Sequence, residues 1–312
     1  MALHSPHRYK HNRSKSMPSS PKGHPSLTDT LVGEVESLEE SCSSSSSFGA
    51  DWFGPALEVV INCYSNLSNM QIDMEGVGSK WINAHLDDIL HLLEASNLLR
   101  DTITEIRKQH TSVQVAIRGL GRDQTCSAHA HERARSTLAM WLSKKKDTHT
   151  QLEKCMSILR RMAEKLNVED KAGVAEAVIN INYAKAITVM IFSAFVTALS
   201  FKTSHMRMPS LPLPTHFTRL QQKLKQSFDI RKRSSSASRF LHELEAADIS
   251  LGDLNNLLIS KSKLQLPINL SPSTLALNDL ETALPLLEHK IDQLFKYLIS
   301  VRVAVLNTLS CH

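Results

Sequence analysis

The chain has 312 residues, enough for one large domain or two ordinary ones with a sizeable core. Only 5% of residues are aromatic and ten are glycine, a composition that suits helices better than strands. The net charge of +5 is concentrated in two stretches with almost no interleaved aromatics, which argues against a folded nucleic-acid groove.

The first of these stretches opens the chain. Met1 to Thr28 holds five Lys/Arg, four His and no acid. With the run Ser43 to Ser47 it makes residues 1–50 poor in apolar surface, and a disordered tail is expected there. No apolar secretory core is present, and the Ser/Arg richness is similar to a transit peptide without its amphipathic pattern. The cytoplasm, or the cytoplasmic face of a membrane, is the expected location, with the plastid as the alternative. Within the tail, Arg13-Ser14-Lys15-Ser16-Met17-Pro18 matches a phosphoserine docking motif of the 14-3-3 type. A phosphate on Ser16 would enter an arginine cluster on the partner, and Pro18 would turn the chain away.

Helices follow. Trp52 to Met70 reads as the first, with Pro55 in its opening turn, where proline is tolerated. In the next, Ile89, Leu92, Leu99, Ile103, Ile106, Val113, Ile117 and Leu120 form one seam of threes and fours, interrupted by Ser96 and His110. That spacing predicts a helix of roughly 50 Å packed along a partner, with His110 at the seam's edge and its ring nitrogen wetted. Ala128 to Lys145 and a segment running to Leu166 are further helices. His129, His131 and Glu132 lie on different helix faces and make no metal site. The five cysteines, Cys42, Cys63, Cys126, Cys155 and Cys311, contain no CxxC pair, so a reducing compartment is expected.

Ala186 to Phe201 carries no charge and no proline and is bracketed by Lys185 and Lys202. Sixteen helical residues span about 24 Å, short of a bilayer core of about 30 Å. The run is therefore either a buried core helix, the preferred reading, or a marginal membrane segment with Lys185 and Lys202 as its snorkelling flanks. Lys202 to Arg239 is the second basic stretch, with nine Lys/Arg against Asp229 alone. Residues 202–238 are expected to be a flexible connector. Arginines three residues ahead of Ser234 and Ser236 make both serines candidate phosphosites. Beyond it, Leu277, Leu280, Leu284, Leu287, Ile291, Leu294, Leu298, Val301 and Val305 form the strongest seam in the chain. A bundle core is preferred for this seam over pairing with another chain. Pro285 is expected to kink or restart that helix. The fold class is all-α, an elongated antiparallel bundle of long helices over residues 51–312.

Several blocks resemble the plant BYPASS family. They are Trp81-Ile82-Asn83-Ala84-His85-Leu86-Asp87 with Leu92-Leu93-Glu94 and Asn97, then Ala134 to Trp141, Glu153 to Asn167, and Leu241-His242-Glu243-Leu244-Glu245-Ala246. Together with the C-terminal helix the correspondence covers roughly residues 52 to 310. The resemblance implies an all-helical plant protein without known catalysis, restraining production of a root-derived mobile signal that arrests shoot growth. The related ROH group implies a second reading, an adaptor in exocyst-linked secretion. An enzyme or binder for a small apolar metabolite is a third. The basic tail and the connector after Phe201 depart from the family pattern. No catalytic residue, cofactor or metal ligand is assigned, no enzymatic activity is expected, and partners are expected to bind through helices.

Overall fold

Apolar residues at steps of three and four give each helix one stripe that must leave water, and long helices satisfy this by lying along one another. The computed structural model describes residues 27–44, 48–69, 79–122, 128–143, 145–166, 176–202, 207–211, 213, 215–233, 238–260 and 269–310. Among these, nine helices form: α1 Leu27–Ser44, α2 Ala50–Asn69, α3 Ser79–Arg122, α4 Ala128–Ser143, α5 Lys145–Glu164, α6 Glu176–Leu199, α7 Thr215–Lys232, α8 His242–Ser260 and α9 Ser271–Ser310. The described residues contain no strand, only an isolated antiparallel bridge between Phe201 and Arg239. The all-α bundle expected from the sequence is the fold observed.

The frame is the antiparallel pair α3 and α9. Every residue of the two predicted seams is buried. Register is set along their length by Arg302 donating to the Leu86 carbonyl at 2.7 Å, Arg107 pairing with Glu288, and Gln114 donating to Glu281 at 2.7 Å. His110 completes it, with its Nε2 2.9 Å from the Leu277 carbonyl oxygen. The expected wetted nitrogen is thus corrected: the imidazole is 5% exposed and bonds across the interface. Helix α2 runs parallel to α9, with Gly54 against Leu286 and Glu58 paired with Lys290. On the other side of α3, α5 runs antiparallel, joined by Thr102 to Gln151 at 3.2 Å and by Cys155 to the Ala95 carbonyl at 3.7 Å.

Three further expectations are revised. Within the tail predicted over residues 1–50, the described part includes α1, which buries Leu31, Val35, Leu38 and Cys42 against the core. Their spacing of four, three and four is a helix stripe inside a serine-rich composition. The predicted connector over 202–238 contains α7, whose Phe217, Leu220, Leu224 and Phe228 are buried beneath its cations. Pro285 does not restart α9, which continues through it. Both Pro285 and Glu281, whose carbonyl loses its partner there, are exposed, so that carbonyl is left on the solvent side of the helix.

At the centre lies α6, touching α1, α2, α5 and α7. The stretch Val178–Leu199 is long and apolar enough to cross a membrane by composition, and 94% of its most apolar window is buried inside the bundle. Phe192, Phe195, Val189, Met190 and Ile191 are fully enclosed, with Phe195 4.9 Å from the Phe53 ring of α2. Two of its hydroxyls bond locally: Thr188 donates to the Ala184 carbonyl and Thr197 to that of Ser193. That back-bonding is how a hydroxyl residue sits within an apolar helix.

Candidate functional site

Two polar nodes bracket the apolar run of α6. The first begins with Lys185, whose ammonium pairs with Asp88 of α3, both side chains largely buried at 8% and 14% exposure. His85 stands one turn before Asp88, its ring stacked on Trp81 at 5.5 Å and 19°. Burial pulls the His85 pKa down to about 4, opposed by the Asp88 carboxylate and reinforced by the Lys185 charge. The imidazole is therefore neutral at physiological pH. The Tyr64 phenol, against Thr188, is pushed above its usual range, mainly by burial.

The second node closes the far end. A helix C-terminus leaves carbonyls without donors. Here the segment 238–242 supplies them, with Leu241 N–H donating to the Ala198 carbonyl at 2.7 Å and Phe240 N–H to that of Ser200 at 3.3 Å. Lys202 N–H in turn donates to the Ser238 carbonyl at 3.0 Å. Arg239 is clamped within this segment. Its guanidinium makes two bonds to Asp248 of α8, at 3.0 and 3.1 Å. It lies 4.9 Å from the Trp141 ring and 5.0 Å from the Phe201 ring. Trp141 Nε1 of α4 donates to the same carboxylate at 2.9 Å, as does the Arg239 backbone N–H at 3.0 Å. Every oxygen of this buried carboxylate is engaged, the condition under which a buried ion pair is tolerated. Beside it, Glu245 accepts both Lys202 and Arg231. Glu243 caps α2 from α8, accepting the Ala50 N–H at 2.8 Å, where a carboxylate also suits the helix dipole.

The nodes thus hold helices together rather than presenting reactive groups. Lys185 and Lys202, read from sequence as flanks of a membrane segment, are buried and ion-paired inside the bundle. Ser16, with Arg13 and Pro18, and the serines Ser234 and Ser236 lie outside the described residues. Among the described residues no cluster of three His, Cys, Asp or Glu is arranged to hold a metal. The clamp of Trp141, Arg239 and Asp248 was invisible to spacing arguments because its members come from three separate segments.

One surface feature stands apart. On the outer face of α9, Ile299, Val303 and Leu306 are exposed by 42%, 48% and 39%. The register fixed by Arg302 and Leu86 brings Leu90 of α3, 46% exposed, level with Ile299. Together they form an apolar stripe at one end of the molecule.

These features define an all-helical bundle protein whose buried polar groups are interhelical fasteners. The chain belongs to the family described as Protein BPS1, whose model matches residues 57–308. It is similar to Protein BPS1, chloroplastic, of Arabidopsis thaliana, 23% identical over 270 residues that cover 83% of this chain and 75% of that protein. No solved structure matches it. The family match bears out the resemblance carried by the blocks around Trp81, Trp141, Leu159 and Leu241 over nearly the same span.

Proposed function

We propose that the chain is a non-enzymatic regulator of plant development that works as a helical scaffold, restraining a root-derived signal that arrests shoot growth. Family membership supports the developmental part of this reading. The observation that carries the scaffold part is the exposed stripe Leu90–Ile299–Val303–Leu306. An apolar surface of this kind, rimmed by polar residues, suits the apolar face of a partner's helix. Exocyst subunits are the helical partners proposed for it, and 14-3-3 proteins for the Ser16 motif. Attachment to the cytoplasmic face of a membrane would then run through the basic segments, where each Lys/Arg near an anionic surface adds about 1 kcal/mol. The Arabidopsis relative is named chloroplastic, which supports the plastid as the alternative location.

The test pairs complementation with capture. In a plant lacking the protein, the full chain is expected to restore shoot growth. Val303→Glu combined with Ile299→Lys is expected to abolish restoration and the recovery of exocyst subunits by affinity purification, with the melting temperature unchanged. Full restoration by the double variant would reject the stripe as the working surface. A fluorescent fusion to residues 1–50 that enters plastids would replace the cytoplasmic location with the plastid one.

A further inference from the structure

A cleft of about 340 Å³ opens between the extended segment 207–211, helix α7 and the closing segment after Ser238. Its rim carries Arg207, Lys225 and Lys232, with Asp229 the opposing charge. Its floor is formed by Phe228, Phe240 and the buried Thr197 of α6. Phe228 and Phe240, 5% and 3% exposed, meet edge to face at 5.3 Å, and half-buried Met208 covers one side. Arg160 of α5 fixes the segment's start by donating to the Arg207 carbonyl at 3.1 Å. Lys225 donates to the Ser210 hydroxyl at 3.1 Å, a weak partner for a full charge.

From this arrangement we propose that the cleft is a binding site for a small amphipathic organic anion, its carboxylate or phosphate head on Lys225, Lys232 and Arg207 and its apolar body against Met208, Phe228 and Phe240. Cations outnumber acids on the rim, so an anionic head is attracted and a cationic one repelled. A bare inorganic anion would leave the floor rings wet, and a neutral hydrocarbon would forgo the attraction of the cations that outnumber acids on the rim. The volume lies at the small end of ligand pockets, which run from roughly 300 to 1,000 Å³. A nucleic acid fits poorly, since the two floor rings meet edge to face and offer no open platform for a base. Partial burial lowers the Lys225 pKa through desolvation, and a bound anion would offset that. The cleft is separate from the α9 stripe, so the two readings stand or fall independently.

The test is isothermal titration of the full chain with four ten-carbon probes: decanoate, decyl phosphate, decanol and decyltrimethylammonium. Decanoate or decyl phosphate, or both, are expected to bind one to one, with the neutral and cationic probes at least about ten-fold weaker. The two heads distinguish a carboxylate site from a phosphate site. The double variant Lys225→Gln/Lys232→Gln is expected to weaken the anionic probe about ten-fold while its thermal transition stays in place. Met208→Asp, which puts an acid beside the apolar body, is expected to weaken it as well. The proposal is overturned by absence of binding, by equal affinity for decanol, or by an unaltered double variant that is folded. Inorganic phosphate binding as tightly as decyl phosphate would equally overturn it, as would binding to anionic vesicles without any binding of the monomeric probes.

Discussion

At the scale of single residues, the stability of this protein depends on buried charges being matched. Lys185 and Asp88 illustrate it. Removing one partner strands the other in a low-dielectric site, which costs about 3–5 kcal/mol. Lys185→Met is therefore expected to lower unfolding free energy by about 3 kcal/mol, and Lys185→Met/Asp88→Leu to recover most of it, in urea titrations at pH 7. A double variant as unstable as the single would refute the pairing argument. His85 adds a dependence on acid. Its folded pKa of about 4 lies below the ordinary 6.5, so the unfolded chain binds the extra proton first. Its contribution is fully present above pH 6.5 and is lost as the pH falls toward 4, amounting to about 3 kcal/mol. His85→Phe should flatten the stability profile between those two pH values, and an unchanged profile would assign the acid loss elsewhere. None of this pairing was legible in the sequence. Lys185 showed there only as the edge of an apolar run, because the identity of its partner, Asp88, depends on how α3 and α6 cross.

Helices were far more legible, and the failures have a common cause. The seams of α3 and α9 announce themselves because their surroundings are polar and regular. The stripe of α1 was hidden by its serines, and that of α7 by its cations, since composition averaged over a window conceals four well-spaced apolar residues. His110 was placed at a wet edge because a polar residue in a seam reads as an interruption. Packing against the Leu277 carbonyl instead makes it a cross-link between the two longest helices. Pro285 was expected to kink or restart α9 on intrinsic grounds, yet the helix runs through it because tertiary burial on the opposite face outweighs a local cost of up to about 3 kcal/mol. Because Pro285 is exposed, Pro285→Ala is expected to raise stability by about 1–3 kcal/mol and the melting temperature with it. A fall in melting temperature would mean that the proline sets a bend which the α2–α9 contact requires.

On the scale of the whole molecule, the apolar helix α6 is the axis on which the other layers turn, and its burial decides how the protein meets a membrane. With the run enclosed and both flanking lysines ion-paired, membrane-bound protein is expected to be released by high salt. Persistence through a carbonate wash would require the bundle to open and α6 to insert. The closing segment 238–242 carries a consequence in time. A ribosome adds about 5–20 residues per second, so roughly forty residues separate emergence of α6 from emergence of its cap, an interval of a few seconds. Throughout it α1, α2 and α5, already synthesised, are available to cover α6, but its last carbonyls still lack the donors of the cap. Closure of the bundle over the end of α6 therefore waits until the Arg239 clamp leaves the exit tunnel.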